Sequence, residues 1–362
     1  MKRVLGIIFI AFMSGVFFAV SAFAAGPIQW KMVTTWSPSI NLWESDQNFC
    51  NIVNKMSGGR LQIKLYKADE LVPASGVFDA VSQGRVDAGG DWPGYWAGKD
   101  SAFEFGGSFP MGLASQDYVN WYYYGGGKEQ YASLYGKSGM VYFLNCVTPQ
   151  ESGIRSNVPI KTLADYKGKK LRMSGKPQGY VLQRLGAAQV MTAGGEIYQA
   201  LQLKTIDGAE FCSPAIDWGM GFAEVTQYNI TPGWHQPASA LGVMINKKAW
   251  DALTPELKYI VEMAAQANMS QMSAYYDYLN IEALKKFEKA GTTVYKLTPD
   301  ELKTIEEYTW EWVEKQSAKS PEYKKIAQSY FQYMKDYAKI RLYNEPFGHG
   351  HNPASYPNIG LK

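Results

Sequence analysis

Four polar side chains have the type and setting to do binding chemistry. Glu210 stands before Phe211, Gln150 follows Pro149, and Gln236 precedes Pro237. Carboxylate and amide oxygens suit hard cations such as Na⁺ or Ca²⁺. Spacing alone does not show that the three converge, and Glu210 can equally be read as a cap for the segment after it. Arg172 lies between Leu171 and Met173 in a predicted short strand. If those two face the core, Arg172 points the other way, to a cleft or to solvent. In a cleft its guanidinium can hold a carboxylate through two parallel hydrogen bonds. Trp36, Trp92 and Tyr95 sit near Pro and Gly, which reads as pocket wall.

Signals for catalysis are thin. Gly125-Gly126-Gly127-Lys128 lacks the upstream Gly of a phosphate loop, and Glu129 stands where Ser or Thr is needed. It reads as a flexible turn. The three His (His235, His349, His351) form no helical zinc pair, and no Gly-x-Ser-x-Gly elbow occurs.

Positioning these residues requires strand ends, and the chain supplies them twice. Val77 to Gly90 reappears in outline as Ile197 to Glu210, at an offset of 120 residues. Each copy reads as a short amphipathic helix, a turn and a strand. The offset is too long for a solenoid. It fits two similar α/β lobes whose strands end at a shared crevice, where ligands bind. Trp30 to Trp36 reads as the first strand, and Phe49, Ile52, Val53 and Met56 mark one face of a helix. Leu61, Ile63 and Leu65 alternate as a second strand, so the opening is β-α-β-α-β. Met140 to Cys146 reads as a strand leading to the crossing, and Leu241 to Asn246 as a strand returning. A long helix is expected over roughly Pro255 to Ala290, with further helix starts at Thr298-Pro299 and Ser320-Pro321.

Bulk properties narrow the class. Lys2 and Arg3 precede an apolar run from Val4 to Val20, with small residues at Ala22 and Ala24. This reads as a secretory signal over 1–24, with an uncleaved anchor as the rival. Export to the periplasm is expected, with 338 of the 362 residues left, enough for two lobes. Without Lys2 and Arg3 the formal charge falls from +3 to +1, which gives no electrostatic case for nucleic acid. Cys50, Cys146 and Cys212 match no zinc pattern; one disulfide or three buried thiols are both open.

Several segments together resemble the extracytoplasmic solute receptors of TRAP transporters. They are Ser57 to Leu61, Glu70 to Pro73, Val77 to Gly90, Lys167 to Arg172, Gly194 to Leu201 and Pro232 to His235. The similarity runs from about Trp30 to Tyr330 and is closest to the branch that binds 2-oxo or 2-hydroxy monocarboxylates such as pyruvate or lactate. The resemblance implies a periplasmic-binding-protein-like fold, each lobe a mostly parallel sheet flanked by helices. Lobe I would take 25–148 plus about 241–255, and lobe II 149–240. A long helix and C-terminal helices (256–345) would pack on both lobes or on a second copy, before an irregular tail (346–362). It also implies roles. Arg172 occupies the carboxylate-binding position, and Gln150, Trp36, Trp92, Tyr95 and Phe211 would complete the substrate site. Gln150, Glu210, the Phe211 carbonyl and Gln236 would hold a bridging Na⁺ or Ca²⁺. Phe211 stands where Trp is usual, and Gln236 where some members carry Glu, which removes a charge. The implied partners are a small organic acid, membrane permease subunits and a second copy of the chain, with no catalytic cofactor. The alternatives are a secreted metal-dependent enzyme acting on a similar acid, or the same fold feeding a sensor.

Overall fold

Alternating burial starts the first sheet. In β1 (Ile28–Thr34), Trp30 and Met32 are buried while Gln29 and Lys31 are exposed. β2 (Leu61–Tyr66) and β3 (Ala88–Asp91) pair with it in parallel, one on each side. Helix Leu42–Met56 connects β1 to β2, and helix Val77–Ser82 precedes β3, as the β-α-β-α-β reading expects. The computed structural model describes residues 26–107 and 109–344, with Asn344 described by its backbone alone. The expected signal segment, the tail from 346, His349 and His351 lie outside the described residues.

β4 (Met140–Val147) leads out of the first lobe and β5 (Ile154–Ser156) into the second. There β6 (Lys170–Arg172), β7 (Ala188–Val190) and β8 (Gly208–Ala209) form another parallel trio. β9 (Tyr228–Thr231) precedes the return through β10 (Ala240–Asn246), and β11 (Thr293–Lys296) is added beside β9. The sheet orders are β2-β1-β3-β10-β4 and β7-β6-β8-β5-β9-β11. Up to β9 the two orders are equivalent, and so are the strand directions. In each sheet the fourth strand arrives from the other lobe and runs antiparallel to both neighbours. The sheets are therefore mixed: a parallel trio extended by the strands that cross between lobes. No described helix is long and apolar enough to cross a membrane.

The sequence repeat is a structural repeat. Helices Val77–Ser82 and Ile197–Gln202 each follow a single 3₁₀ turn, Ala74–Gly76 and Gly194–Glu196, and each precedes a strand, at the same offset of 120. At that offset Gly90 corresponds to Glu210. A Cβ at Gly90 would lie 1.9 Å from Asp46 Oδ2. The glycine thus leaves room for the Asp46 carboxylate, which accepts hydrogen bonds from Thr34 Oγ1 and Asn145 Nδ2.

Helix Pro255–Lys289 braces both lobes. Thr254 Oγ1 caps it by accepting from the Leu257 amide at 3.3 Å. On the first lobe, Asn268 Nδ2 donates to Asn145 O at 3.0 Å, and Tyr276 Oη to Asn41 O at 2.9 Å. On the second, Asn280 Oδ1 accepts from the Ala215 amide at 2.9 Å, and Phe287 lies 3.5 Å below the Arg155 guanidinium. Helix Pro299–Lys319 opens on the expected Thr298/Glu301 capping box and packs on helix Lys176–Arg184 of the second lobe. Helix Pro321–Asn344 returns to the first lobe, where Tyr330 Oη accepts from the Leu113 amide at 2.6 Å.

Two open readings are settled here. Cys50, Cys146 and Cys212 are buried free thiols. Gly127 opens helix Gly127–Gly136, and Lys128 pairs with Glu262 of the bracing helix, so the glycine run serves packing.

Burial pushes the carboxyls of Asp46 and Asp91 up to about 7. The folded chain holds these protons to higher pH than the unfolded chain does. Their contribution to stability is full below about pH 4 and is lost as pH rises toward about 7. Asp46→Asn is expected to flatten that decline by up to about 1.4 kcal/mol per pH unit. Urea unfolding at about pH 5 and about pH 7 reads the slope, and an unchanged slope would contradict the assignment.

Candidate functional site

Parallel pairing of β6 and β8 brings two charged residues together at neighbouring strand ends. Arg172 closes β6 opposite Ala209, and Glu210 follows β8 directly, its amide donating to Arg172 O at 3.1 Å. Both side chains are buried, at 3 % and 0 % exposure. Arg172 Nη1 donates to Glu210 Oε1 at 2.6 Å and to Glu210 O at 2.8 Å, and Nε donates to Thr192 O at 3.1 Å. The Ser174 amide and Oγ also donate to Glu210 Oε1, at 2.6 and 3.0 Å. Phe211 places its ring 5.6 Å from the guanidinium carbon.

These bonds narrow what Arg172 can do. The strand-alternation argument holds: Leu171 and Met173 are in the core and Arg172 lines the cleft. Nε and Nη1 donate within the protein, and Nη2 has no hydrogen-bond partner among the described residues. The two-nitrogen fork expected from sequence would have to break one of these bonds.

The walls come from both lobes. Trp36, Trp92, Tyr95, Phe211 and Gln236 line the same small chamber as Arg172, with Ser174 and Ser239. Tyr95 stands 5.9 Å from Trp36 and 5.0 Å from Trp92 between ring centroids. Gln150 is not among these residues. It is exposed and makes no side-chain hydrogen bond among the described residues, while its neighbour Glu151 is buried. Neighbours in an extended segment point opposite ways, so facing one residue inward turns the other out.

Glu151 belongs to a buried cluster at the hinge, where the segment from β4 to β5 meets the segment from β9 to β10. Thr148 and Ser239 join the two segments, the Thr148 amide donating to Ser239 O at 2.8 Å and the Ser239 amide to Thr148 Oγ1 at 3.0 Å. Glu151 Oε2 is 2.8 Å from His235 Nε2, and Ser239 Oγ donates to Glu151 Oε1 at 2.9 Å. Glu210 Oε2 is 3.7 Å from the same imidazole nitrogen. Burial lowers His235 to about 4, leaving it neutral near pH 7. Burial, reinforced by Glu210, pushes the Glu151 carboxyl well above the usual range.

Gln236 completes the cluster, its amide nitrogen donating to Glu151 Oε2 at 2.8 Å, Glu151 Oε1 at 2.9 Å and Glu210 Oε2 at 3.3 Å. A cation held here would require the amide turned over, with its oxygen inward. Glu151, Glu210 and His235 also bring potential ligand atoms within 4.8 Å of one another. This donor set, two carboxylates and an amide oxygen beside an imidazole, fits a hard cation. Sequence reading found Glu210 and Gln236 but missed Glu151, His235 and Ser239. Their available signals were the Gln150-Glu151 adjacency and the loop Gly233-Trp234-His235-Gln236-Pro237.

Glu210→Gln removes the only carboxylate within salt-bridge distance of Arg172 among the described residues. An uncompensated buried guanidinium is expected to cost about 3–5 kcal/mol. Arg172→Met combined with Glu210→Gln is expected to recover part of that loss. Urea unfolding of Glu210→Gln, Arg172→Met and the double variant tests the coupling, and additive losses would contradict it.

The family model for bacterial extracellular solute-binding proteins, family 7 (DctP), matches residues 32–320. A monocarboxylate 2-oxoacid-binding periplasmic protein of Nostoc sp. is 31% identical over 319 residues, 88% of this chain and 87% of the relative. A TRAP transporter solute-binding protein from Bordetella bronchiseptica superposes with a TM-score of 0.84 at 30% identity, over 89% of this chain and 96% of that one. It was solved as a mixed-occupancy dimer, with copurified calcium and picolinate in one active site and the other apo. A TRAP periplasmic solute-binding protein from Pseudoalteromonas atlantica, solved with sodium and pyruvate, gives 0.83 at 30% identity, over 89% of this chain and 100% of that one.

Proposed function

The chain belongs to the bacterial extracellular solute-binding proteins of family 7, the periplasmic receptors of TRAP transporters, and on that premise we propose that it captures a small 2-oxo or 2-hydroxy carboxylic acid between its lobes. Members of the family are transport receptors, which sets the enzyme alternative aside. The observation that carries the reading is a buried arginine whose Nη2 has no hydrogen-bond partner among the described residues and which lines an aromatic chamber shared by both lobes.

In this reading Arg172 Nη2 holds the carboxylate, and Trp36, Trp92, Tyr95 and Phe211 exclude water around it. Charge balance then asks for one more component. Glu210 already offsets Arg172, and His235 is neutral. An arriving carboxylate adds a negative charge in a low-dielectric chamber, where it is costly unless paired. A Na⁺ or Ca²⁺ held by Glu210, Gln236 and the Phe211 carbonyl would supply the missing positive charge and a ligand-orienting contact. Related structures with calcium and picolinate or with sodium and pyruvate support this. For Gln150, whose side chain faces outward, a metal or substrate role requires that the crossing segment turn as the lobes move. Glu151 reaches the same oxygen cluster without such a turn.

The remaining parts of the reading follow from the family. Residues 1–24 would direct export to the periplasm, the loaded receptor would dock on membrane permease subunits, and the receptor would work as a homodimer. Lobe I would comprise 25–148 with about 241–255, and lobe II 149–240.

Calorimetric titration with pyruvate tests the arginine. Arg172→Ala is expected to lose binding by at least about a hundredfold, since a buried charge-assisted contact is removed. The Arg172→Met/Glu210→Gln double variant, with its fold checked by circular dichroism, should lose it equally. Unchanged affinity in either folded variant would refute the carboxylate role.

A further inference from the structure

Two spaces meet at Arg172, and they differ greatly in size. The inner chamber, closed by Phe211, Gln236 and Leu241, has a volume of about 20 Å³. That is room for roughly one water. The outer cleft has a volume of about 600 Å³. Trp36, Tyr95, Arg172 and Ser174 line both, so the two are continuous. The outer space persists although the lobes already touch. Lys176 Nζ of the second lobe donates to Ala97 O of the first at 3.1 Å, and a Cβ at Gly194 would lie 3.5 Å from Ile40 Cδ1 across the gap.

A guest whose carboxylate sits on Arg172 Nη2 can send its side chain only outward, because the inner chamber is too small for an organic tail. The wall it meets there carries three aromatic rings, with Lys99, Asp69 and Glu196 also in the lining. Trp36 and Tyr95 are 5.9 Å apart with rings tilted by 52°, and Tyr95 and Trp96 are 6.2 Å apart at 74°. Ile40 and Met191 stand in the same lining. Tilted rings at these spacings offer edge and face contacts to a further ring, and a cleft of this volume falls within the roughly 300–1,000 Å³ that small-molecule sites span. A three-carbon acid would leave most of the aromatic wall uncovered.

We propose that the ligand is a 2-oxo or 2-hydroxy acid with an aryl side chain, its acid head on Arg172 and its ring in the outer cleft against the exposed Tyr95, with Trp36 and Trp96 packed beside it. The inference rests on the carboxylate reading of the same site. Gly195 gives the means to test it. It lines the outer cleft, a Cβ there would meet nothing within 4 Å, and its φ lies outside the left-handed region. Gly195→Phe therefore adds a ring at the lining of the outer cleft, at a position that does not line the chamber at Arg172.

Calorimetry with pyruvate and phenylpyruvate, on the wild-type chain and on Gly195→Phe, decides the matter. The wild type is expected to bind phenylpyruvate at least about tenfold tighter than pyruvate. Gly195→Phe is expected to weaken phenylpyruvate by at least about tenfold and to change pyruvate by less than about twofold. Pyruvate binding as tightly as phenylpyruvate, or both weakening alike in Gly195→Phe, would overturn the aryl assignment and leave the carboxylate reading standing. Binding of neither acid by the wild type would overturn both.

Discussion

The buried pairing of Arg172 with Glu210 constrains everything else at the cleft. It takes Nη1 of the guanidinium out of play, as the Thr192 carbonyl takes Nε, and it offsets the charge before any guest arrives. In a low-dielectric chamber such a pair is stable only because its hydrogen bonds are met, here by Ser174 and Thr192. On the proposed reading, a carboxylate would meet one free nitrogen, and its charge would call for a further positive one. The oxygen cluster of Glu151, Glu210 and Gln236 stands where that charge would lie.

The fold makes this pairing local and sets the cluster beside the hinge. Arg172 and Glu210 are neighbours because β6 and β8 are parallel partners, so each strand ends on the same side of the sheet. Glu151, His235 and Gln236 come from the two segments that pass between lobes. The Ser152 amide donates to Cys212 O at 2.9 Å, which ties the Glu151 segment to the strand end that carries Glu210. The bracing helix Pro255–Lys289 touches both lobes without lining the chamber, so it can limit the motion and leave the chemistry alone.

Much of this was legible from residue order. The repeat, the β-α-β-α-β opening, the Thr298 capping box and the turning of Arg172 away from Leu171 and Met173 all rest on local periodicity or local hydrogen bonding, which a sequence displays directly. The insertion of β10 beside β3 and of β5 beside β8 was not legible, because strand order depends on contacts far apart in the chain. Gln150 and Glu151 show the same limit at the scale of one residue. Both have suitable oxygens, and only the path of the crossing segment decides which faces inward. Resemblance pointed to Gln150, and the geometry puts Glu151 in the cluster.

The most direct measurement of the central claim is calorimetric titration of pyruvate into chelator-treated protein at fixed ionic strength, with Ca²⁺ or Na⁺ as the varied component. If the arginine is already neutralised, carboxylate affinity must rise with the concentration of the cation that is taken up with it. Affinity that stays constant from chelator to saturating cation would contradict the account.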